Sequence, residues 1–378
     1  MKKSILYSSI GVLSFAWLLW SVVTWQWGNI YLSFENTIQK PIESNEKIYT
    51  ANEWDGSVSV VDAKTEKLMK NISLSRQFYG KFLTYTAHNV QVGPKGTIIA
   101  VTANIMEDED SHGEEGINND ELILIDPATD TIIERIPLGI GMHLAHVVID
   151  MNDTLAYVAS QEHSIVFVVD IQNGSILKKV DLPEGSLPHG IRLTPDGKNL
   201  LIAMIGEKAI GIMNTETSAL ELVRTSDKVV QVAVTPDGRY VFGSLYGTKS
   251  IARYDLSTKK LDTVRLPDGA KWPIQLYPTP DSQSLYVADQ GFYFDEPTSN
   301  QIYEIDIASL QVLKSYTGGQ APHGVVVSHD GKKVYVTNLL SDTISVIDTT
   351  TDTITNTIAV GEKTNGISIW KKWIWGTP

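Results

Sequence analysis

The chain has 378 residues, 42% hydrophobic and 8% aromatic, which is enough apolar material for a folded core and excludes global disorder. Its formal charge of -13 argues against attraction to nucleic acid or anionic lipid, because phosphate binding needs clustered Lys and Arg. No cysteine is present, so disulfides, thiolate metal sites, iron-sulfur clusters, CxxCH haem attachment and blue-copper centres are all excluded.

At the N-terminus Lys2 and Lys3 precede Ile5 to Trp27, an uncharged run rich in Leu, Ile, Val and Trp of about the length that spans a bilayer. No small-x-small cleavage site follows it and no cysteine offers a lipid anchor, so residues 1–27 are expected to be an uncleaved signal anchor. The two lysines favour a cytoplasmic N-terminus, with Trp17, Trp20, Trp25 and Trp27 supplying candidates for the interfacial belt. The expected location is therefore the cell membrane, single-pass, with the remaining chain on the extracytoplasmic side. Residues 28–47, with Asn, Glu, Lys and Pro41, read as a stalk linker.

A repeat begins at Ile48. Its clearest copy, Pro322 to Val360, holds four alternating runs of β-branched and aromatic residues separated by Gly, Asp and Asn turns, and nothing in it has helical period. The openings of six copies are AHNVQVGPKG at Ala87, AHVVIDMND at Ala145, PHGIRLTPDG at Pro188, VVQVAVTPDG at Val229, PIQLYPTPDS at Pro273 and PHGVVVSHDG at Pro322. A seventh, TNGISIW at Thr364, has only a first strand, whereas Ile48 to Leu74 holds three strands without a first. The second residues of the openings, at 88, 146, 189, 230, 274, 323 and 365, are spaced 41 to 58 residues apart. Four strands at that period predict an all-β, seven-bladed β-propeller over 48–370, its ring closed by the C-terminal strand in the first blade. Residues 371–378 form a tail in which Trp373 and Trp375 could cap that blade.

The run Val334-Tyr335-Val336-Thr337-Asn338, followed by Thr343 to Asp348, closely resembles the YVTN family of bacterial and archaeal β-propeller repeats. Weaker versions recur at Ala156–Ser160, Leu285–Asp289 and Ile48–Asn52, so the resemblance covers about residues 48 to 370. It implies the fold strongly and an activity weakly. At fold level the chain also resembles the propeller domain of nitrous oxide reductase, whose histidines hold a copper cluster. This chain lacks that enzyme's cysteine-bearing copper domain, so its reductase activity is not expected.

In a propeller the first strand of each blade lines the central channel, starting on the same face as the loops between second and third strands. On this upper face the second residues of the openings form a ring: Asn365, His88, His146, His189, Val230, Ile274 and His323. Four histidines and one asparagine then occupy a continuous arc. Converging neutral imidazoles can hold a metal without thiolates, so His88, His146, His189 and His323 are the candidate ligands, with copper favoured over zinc or iron. Asn365, His143, His163 and Tyr85 are candidate supporting groups. Pro-His-Gly at a strand start also has a purely structural reading, with imidazole bonding neighbouring backbone.

Two insertions overlie the same face. The acidic one spans Met106 to Glu115 and contains His112; its spacing does not fit an EF-hand. The aromatic one, Phe292-Tyr293-Phe294, is expected to act as a lid or partner loop, with Phe78, Tyr79, Phe82 and Tyr85 as possible neighbours. No GxSxG, Walker loop, Rossmann fingerprint or HExxH is present, and no catalytic residue is legible. The leading expectation is a membrane-anchored extracytoplasmic propeller binding a ligand, with a His-held metal, at the channel mouth. The alternatives are a scaffold for an envelope protein partner and a lactonase-like or oxidoreductase propeller enzyme.

Overall fold

The alternating runs pair as antiparallel strands because Val, Ile, Tyr and Thr suit a pleated surface packed on both faces. The computed structural model describes residues 46–78, 80–106, 119–294 and 297–372. The expected signal anchor, most of the expected stalk, nearly all of the acidic insertion with His112, and Trp373 and Trp375 lie outside these residues. No helix among the described residues is long and apolar enough to cross a membrane.

Seven four-stranded sheets form. From inner to outer strand, blade 1 is Thr364–Lys371, Glu46–Asn52, Ser57–Asp62 and Lys67–Ser73. Blade 2 is Tyr85–Val92, Ile99–Ile105, Asp120–Asp126 and Thr131–Gly139, and blade 3 is Leu144–Ile149, Leu155–Ser160, Ile165–Asp170 and Ser175–Asp181. Blade 4 runs Pro188–Leu193, Asn199–Met204, Ala209–Asn214 and Leu220–Arg224; blade 5 runs Val229–Val234, Tyr240–Leu245, Ser250–Asp255 and Leu261–Arg265. Blade 6 is Pro273–Pro278, Ser284–Asp289, Gln301–Asp306 and Val312–Thr317, and blade 7 is Pro322–Val327, Lys333–Asn338, Thr343–Asp348 and Thr353–Ala359. A short ribbon, Arg76–Phe78 with Lys81–Leu83, stands between blades 1 and 2.

Each inner strand packs against the next and the last packs against the first, so they enclose one axis. Closure follows the expected route: Ile369 lies opposite Ile48 and Ser368 opposite Tyr49. Seven hydrophobic clusters fill the blade-to-blade seams. The motif tyrosines Tyr49, Tyr157, Tyr286 and Tyr335 are buried on second strands.

Side-chain hydrogen bonds set the turns. Between first and second strands, Thr194 donates to Asp196 at 2.7 Å and Thr279 to Asp281 at 2.6 Å. The following residue is left-handed, with φ 69° at Gly197 and 71° at Gly238, and Ser282 adopts 60° in the same place. Every third strand ends in Asp or Asn. Asp62, Asp170, Asn214, Asp255 and Asp348 accept backbone amides two and three residues on, closing the third turn of their blades.

Candidate metal centre

The site begins with a break in regular pairing. Where each inner strand pairs with its second strand, the register shifts near the upper end: between Ala87 and Asn89, Leu144 and Val147, Pro188 and Ile191, Val229 and Val232, Pro273 and Leu276, and Pro322 and Val325. In blade 1 the shift falls between Thr50 and Asn52, opposite Ile367 and Thr364. A bulge re-aims the side chains it carries, and here it frees them at the channel mouth.

The register corrects one alignment. Leu144 pairs with Ser160 as Pro322 pairs with Asn338, and Val147 pairs with Val158 as Val325 pairs with Val336. Ala145 therefore occupies the position of His88, His189 and His323, and His146 stands one residue further, where blades 4, 7 and 1 have Gly190, Gly324 and Gly366. A side chain at that position points into the seam: a Cβ on Gly190 would lie 1.7 Å from Gln231 Oε1, and one on Gly366 would lie 2.9 Å from Asn89 Cα. His146 is accordingly sealed from solvent.

Despite the offset, His88, His146 and His189 converge. Each offers a ring nitrogen, and these atoms lie within 4.8 Å of one another. Ring centroids are 5.0 Å apart for His146 and His189, 5.4 Å for His88 and His189, and 5.8 Å for His88 and His146. His189 Nδ1 is 3.0 Å from the Val230 carbonyl oxygen, which only accepts, so Nδ1 carries the proton and Nε2 keeps its lone pair. His88 Nδ1 faces Glu53 Oε1 at 3.7 Å, leaving Nε2 buried without a partner. Both nitrogens of His146 are likewise buried and unpartnered. Burial, then the charges of His189, His88 and Arg192, hold His146 well below the usual imidazole range. Burial and His88 bring His189 down to about 3. His146 and His189, kept neutral by burial, and the buried unpartnered nitrogens of His88 and His146 fit a metal ion, and uncompensated polar atoms of this kind are costly without one.

His323 stands outside this triad. Its Nδ1 is 2.6 Å from the Gln290 amide nitrogen, its ring meets Tyr293 edge-on at 5.9 Å, and its Nε2 is buried without a partner. Burial and His88 lower it to about 3. Asn365 Nδ2 donates to Glu53 Oε2 at 3.1 Å, and the Tyr293 hydroxyl donates to the same oxygen. Burial pushes Glu53 up, but His88, Tyr293 and Asn365 outweigh it and hold the carboxyl at about 2. Burial and this carboxylate push the Tyr293 phenol upward, so it stays protonated.

Above the triad opens a cleft of about 830 Å³. His88, His189, His323, Glu53 and Tyr293 line it, as do His143, His163, Asp120 and Glu162 on the side of blades 2 and 3. His143 Nδ1 lies 3.6 Å from Glu162 Oε1, and its backbone amide donates to Asp120 Oδ2 at 2.9 Å. Val230, Ile274 and Ile205 make an apolar wall opposite. Tyr85 does not reach the cleft; it is buried in the seam of blades 1 and 2, under the Arg135 guanidinium. Phe292 and Tyr293 form a short 3₁₀ turn over the mouth, both partly exposed, and the Phe294 side chain lies outside the described residues. His329 lies on the opposite face beside Glu46.

Glu53, Asp120, Glu162 and Gln290 are site residues that the sequence reading did not single out. Glu53 had a usable signal, since it follows Tyr49-Thr50-Ala51-Asn52 in the loop between second and third strands, which the propeller rule assigns to the upper face.

Residues 289–372 match a family model described as YNCE-like beta-propeller, bearing out the resemblance to YVTN-type repeats. No curated protein matches the chain. Among solved structures, hydrazine synthase of Kuenenia stuttgartiensis is similar with TM-score 0.64 and 18% identity, covering 80% of this chain and 92% of that one. A Lactobacillus plantarum protein gives 0.66 and 16%, covering 86% and 99%. Virginiamycin B lyase from Staphylococcus aureus gives 0.61 and 14%, covering 76% and 92%. These likenesses establish the propeller fold alone.

Proposed function

We propose that the protein is a membrane-anchored, extracytoplasmic propeller that binds a transition metal, copper first, through His88, His146 and His189. The carrying observation is the convergence of three ring nitrogens within 4.8 Å, with His88 Nε2 and both His146 nitrogens buried and unpartnered. Three imidazoles occupy one face of an ion and leave further positions toward the cleft for a ligand. A nitrogen-only set without thiolate suits copper, zinc or iron, and the Irving–Williams order puts Cu²⁺ ahead at equal availability. Support for the anchor is the Lys2-Lys3 pair and the uncharged run Ile5 to Trp27.

The test is metal analysis and electron paramagnetic resonance of purified protein after loading with copper, zinc or iron. One ion per chain is expected, with nitrogen hyperfine structure for Cu²⁺, and loss of stoichiometric binding when all three histidines become Ala. No stoichiometric metal under any loading would sink the reading. A docking module for an envelope partner is the second reading. It is favoured by exposed Trp54 and Phe292 on either side of the Lys363 ammonium, 4.6 Å and 5.7 Å from it.

A further inference from the structure

Blades 4 and 7 place a histidine at the same register position, since Pro188 pairs with Met204 as Pro322 pairs with Asn338. Their partners differ. His189 Nδ1 meets a carbonyl oxygen, so its proton sits on Nδ1 and Nε2 keeps the lone pair that can ligate. His323 Nδ1 meets the side-chain amide nitrogen of Gln290 at 2.6 Å, and an amide nitrogen only donates. His323 Nδ1 therefore accepts, the ring is neutral, and its proton sits on Nε2. Two equivalent histidines thus carry opposite tautomers: one offers a lone pair and the other an N–H.

The surroundings of His323 hold this arrangement in place. Gln290 is fully buried and its backbone is tied on both sides: its amide donates to the Trp272 carbonyl and its carbonyl accepts from the Ser299 amide, each at 2.8 Å. The Tyr293 ring meets the imidazole edge-on at 5.9 Å. His323 is 1% exposed and its Nε2 has no partner, yet it lines the same cleft of about 830 Å³ as His88 and His189. A buried N–H without an acceptor is costly, so this one calls for an acceptor from the cleft. Round the mouth, Val230 and Ile274 hold the equivalent positions of blades 5 and 6, between His189 and His323. With Ile205 they make the wall between the two histidines apolar, and no Lys or Arg lines the cleft.

We infer that His323 is the hydrogen-bond donor for a small organic carboxylate bound in the cleft, with one oxygen on the metal held by the triad and the other accepting from His323 Nε2. The apolar body of such a ligand lies against Val230, Ile274 and Ile205. A carboxylate fits because its two oxygens can coordinate and accept at once. The ion supplies the charge that draws it in, and His323 fixes its second oxygen. This assignment rests on the reading of the triad as a metal site, and it divides the arc into three ligands and one donor.

The first test needs no metal. In the full chain carrying isotope-labelled histidine, long-range proton–nitrogen spectra should show His323 protonated at Nε2 and His189 at Nδ1, each signal assigned by its loss on substitution. Protonation of His323 at Nδ1 would overturn the proposal. The second test loads the full chain with Cu²⁺ and titrates it with sodium butyrate, followed by visible and electron paramagnetic resonance spectra. His323→Ile, which puts there the residue blade 6 has at this position, should keep one copper per chain and weaken butyrate about fivefold, the worth of one hydrogen bond. Imidazole, which coordinates but offers His323 no acceptor, should bind parent and variant alike. His323→Gln, which restores a donor, should recover part of the loss. Unchanged butyrate affinity in His323→Ile would overturn the proposal alone. Loss of copper in that variant would do the same by making His323 a ligand, whereas a parent that binds no copper would sink the metal reading and this proposal together.

Discussion

His189 shows how one side chain is prepared for a ligand. Its tautomer is dictated by the Val230 carbonyl of the next blade, and its burial keeps the ring neutral. That neutrality has a measurable consequence in the metal-free protein. Imidazoles titrate near 6.5 when unfolded, whereas His189 and His323 do so at about 3 in the fold. The unfolded chain therefore binds more protons between these values, so stability is fully present above about pH 6.5 and is lost as pH falls toward 3. Calorimetry should show Tm declining from about pH 6.5 downward, with a shallower decline after His189→Gln and His323→Gln. A flat Tm between about pH 7 and 5 would contradict it. Glu53 shifts downward too, for another reason: against the burial that would raise it, His88, Tyr293 and Asn365 hold its carboxyl ionised, making it an anchor for all three at once.

At the scale of the element, the blade is defined by pairing and the site by the interruption of pairing. The repeated bulge re-aims side chains at the upper end of each inner strand without breaking the sheet. Blade 1 is further locked to blade 2 by Lys47 of its second strand, whose ammonium donates to Asp130 Oδ2 at 2.8 Å and to the Pro127 carbonyl at 2.8 Å. The Tyr49 hydroxyl donates to the same carboxylate. Lys47 and Asp130 are both buried. Removing one partner strands the other charge, so Asp130→Ala should cost about 3–5 kcal/mol in urea unfolding. The double change Lys47→Met with Asp130→Leu should recover most of it. Equal losses in the single and double variants would show that the network is not what holds the seam.

For the whole molecule, the ring makes its two ends one element. The strand Thr364–Lys371 pairs with Glu46–Asn52 and packs against the inner strands of blades 2 and 7. Ending the chain after Thr364 removes the inner strand of blade 1 and opens two seams together. The expected outcome is loss of the single cooperative thermal transition and rapid proteolysis throughout 46–364, rather than trimming confined to one blade. A fragment that keeps the parent Tm would show that the blades stand independently.

Strand number, blade number, closure and the upper-face histidines were all legible from residue order, because period-two alternation and turn chemistry are local and repeat within each copy. Tertiary structure alone decided which side chains meet. Spacing along the chain does not reveal a one-residue offset in pairing, so His146 could be aligned with His323 although the strand register places Ala145 there. Nor does it reveal that Glu53 and Tyr293 share a hydrogen bond across the mouth. Those facts depend on distances between residues far apart in sequence, set by the closure of the ring.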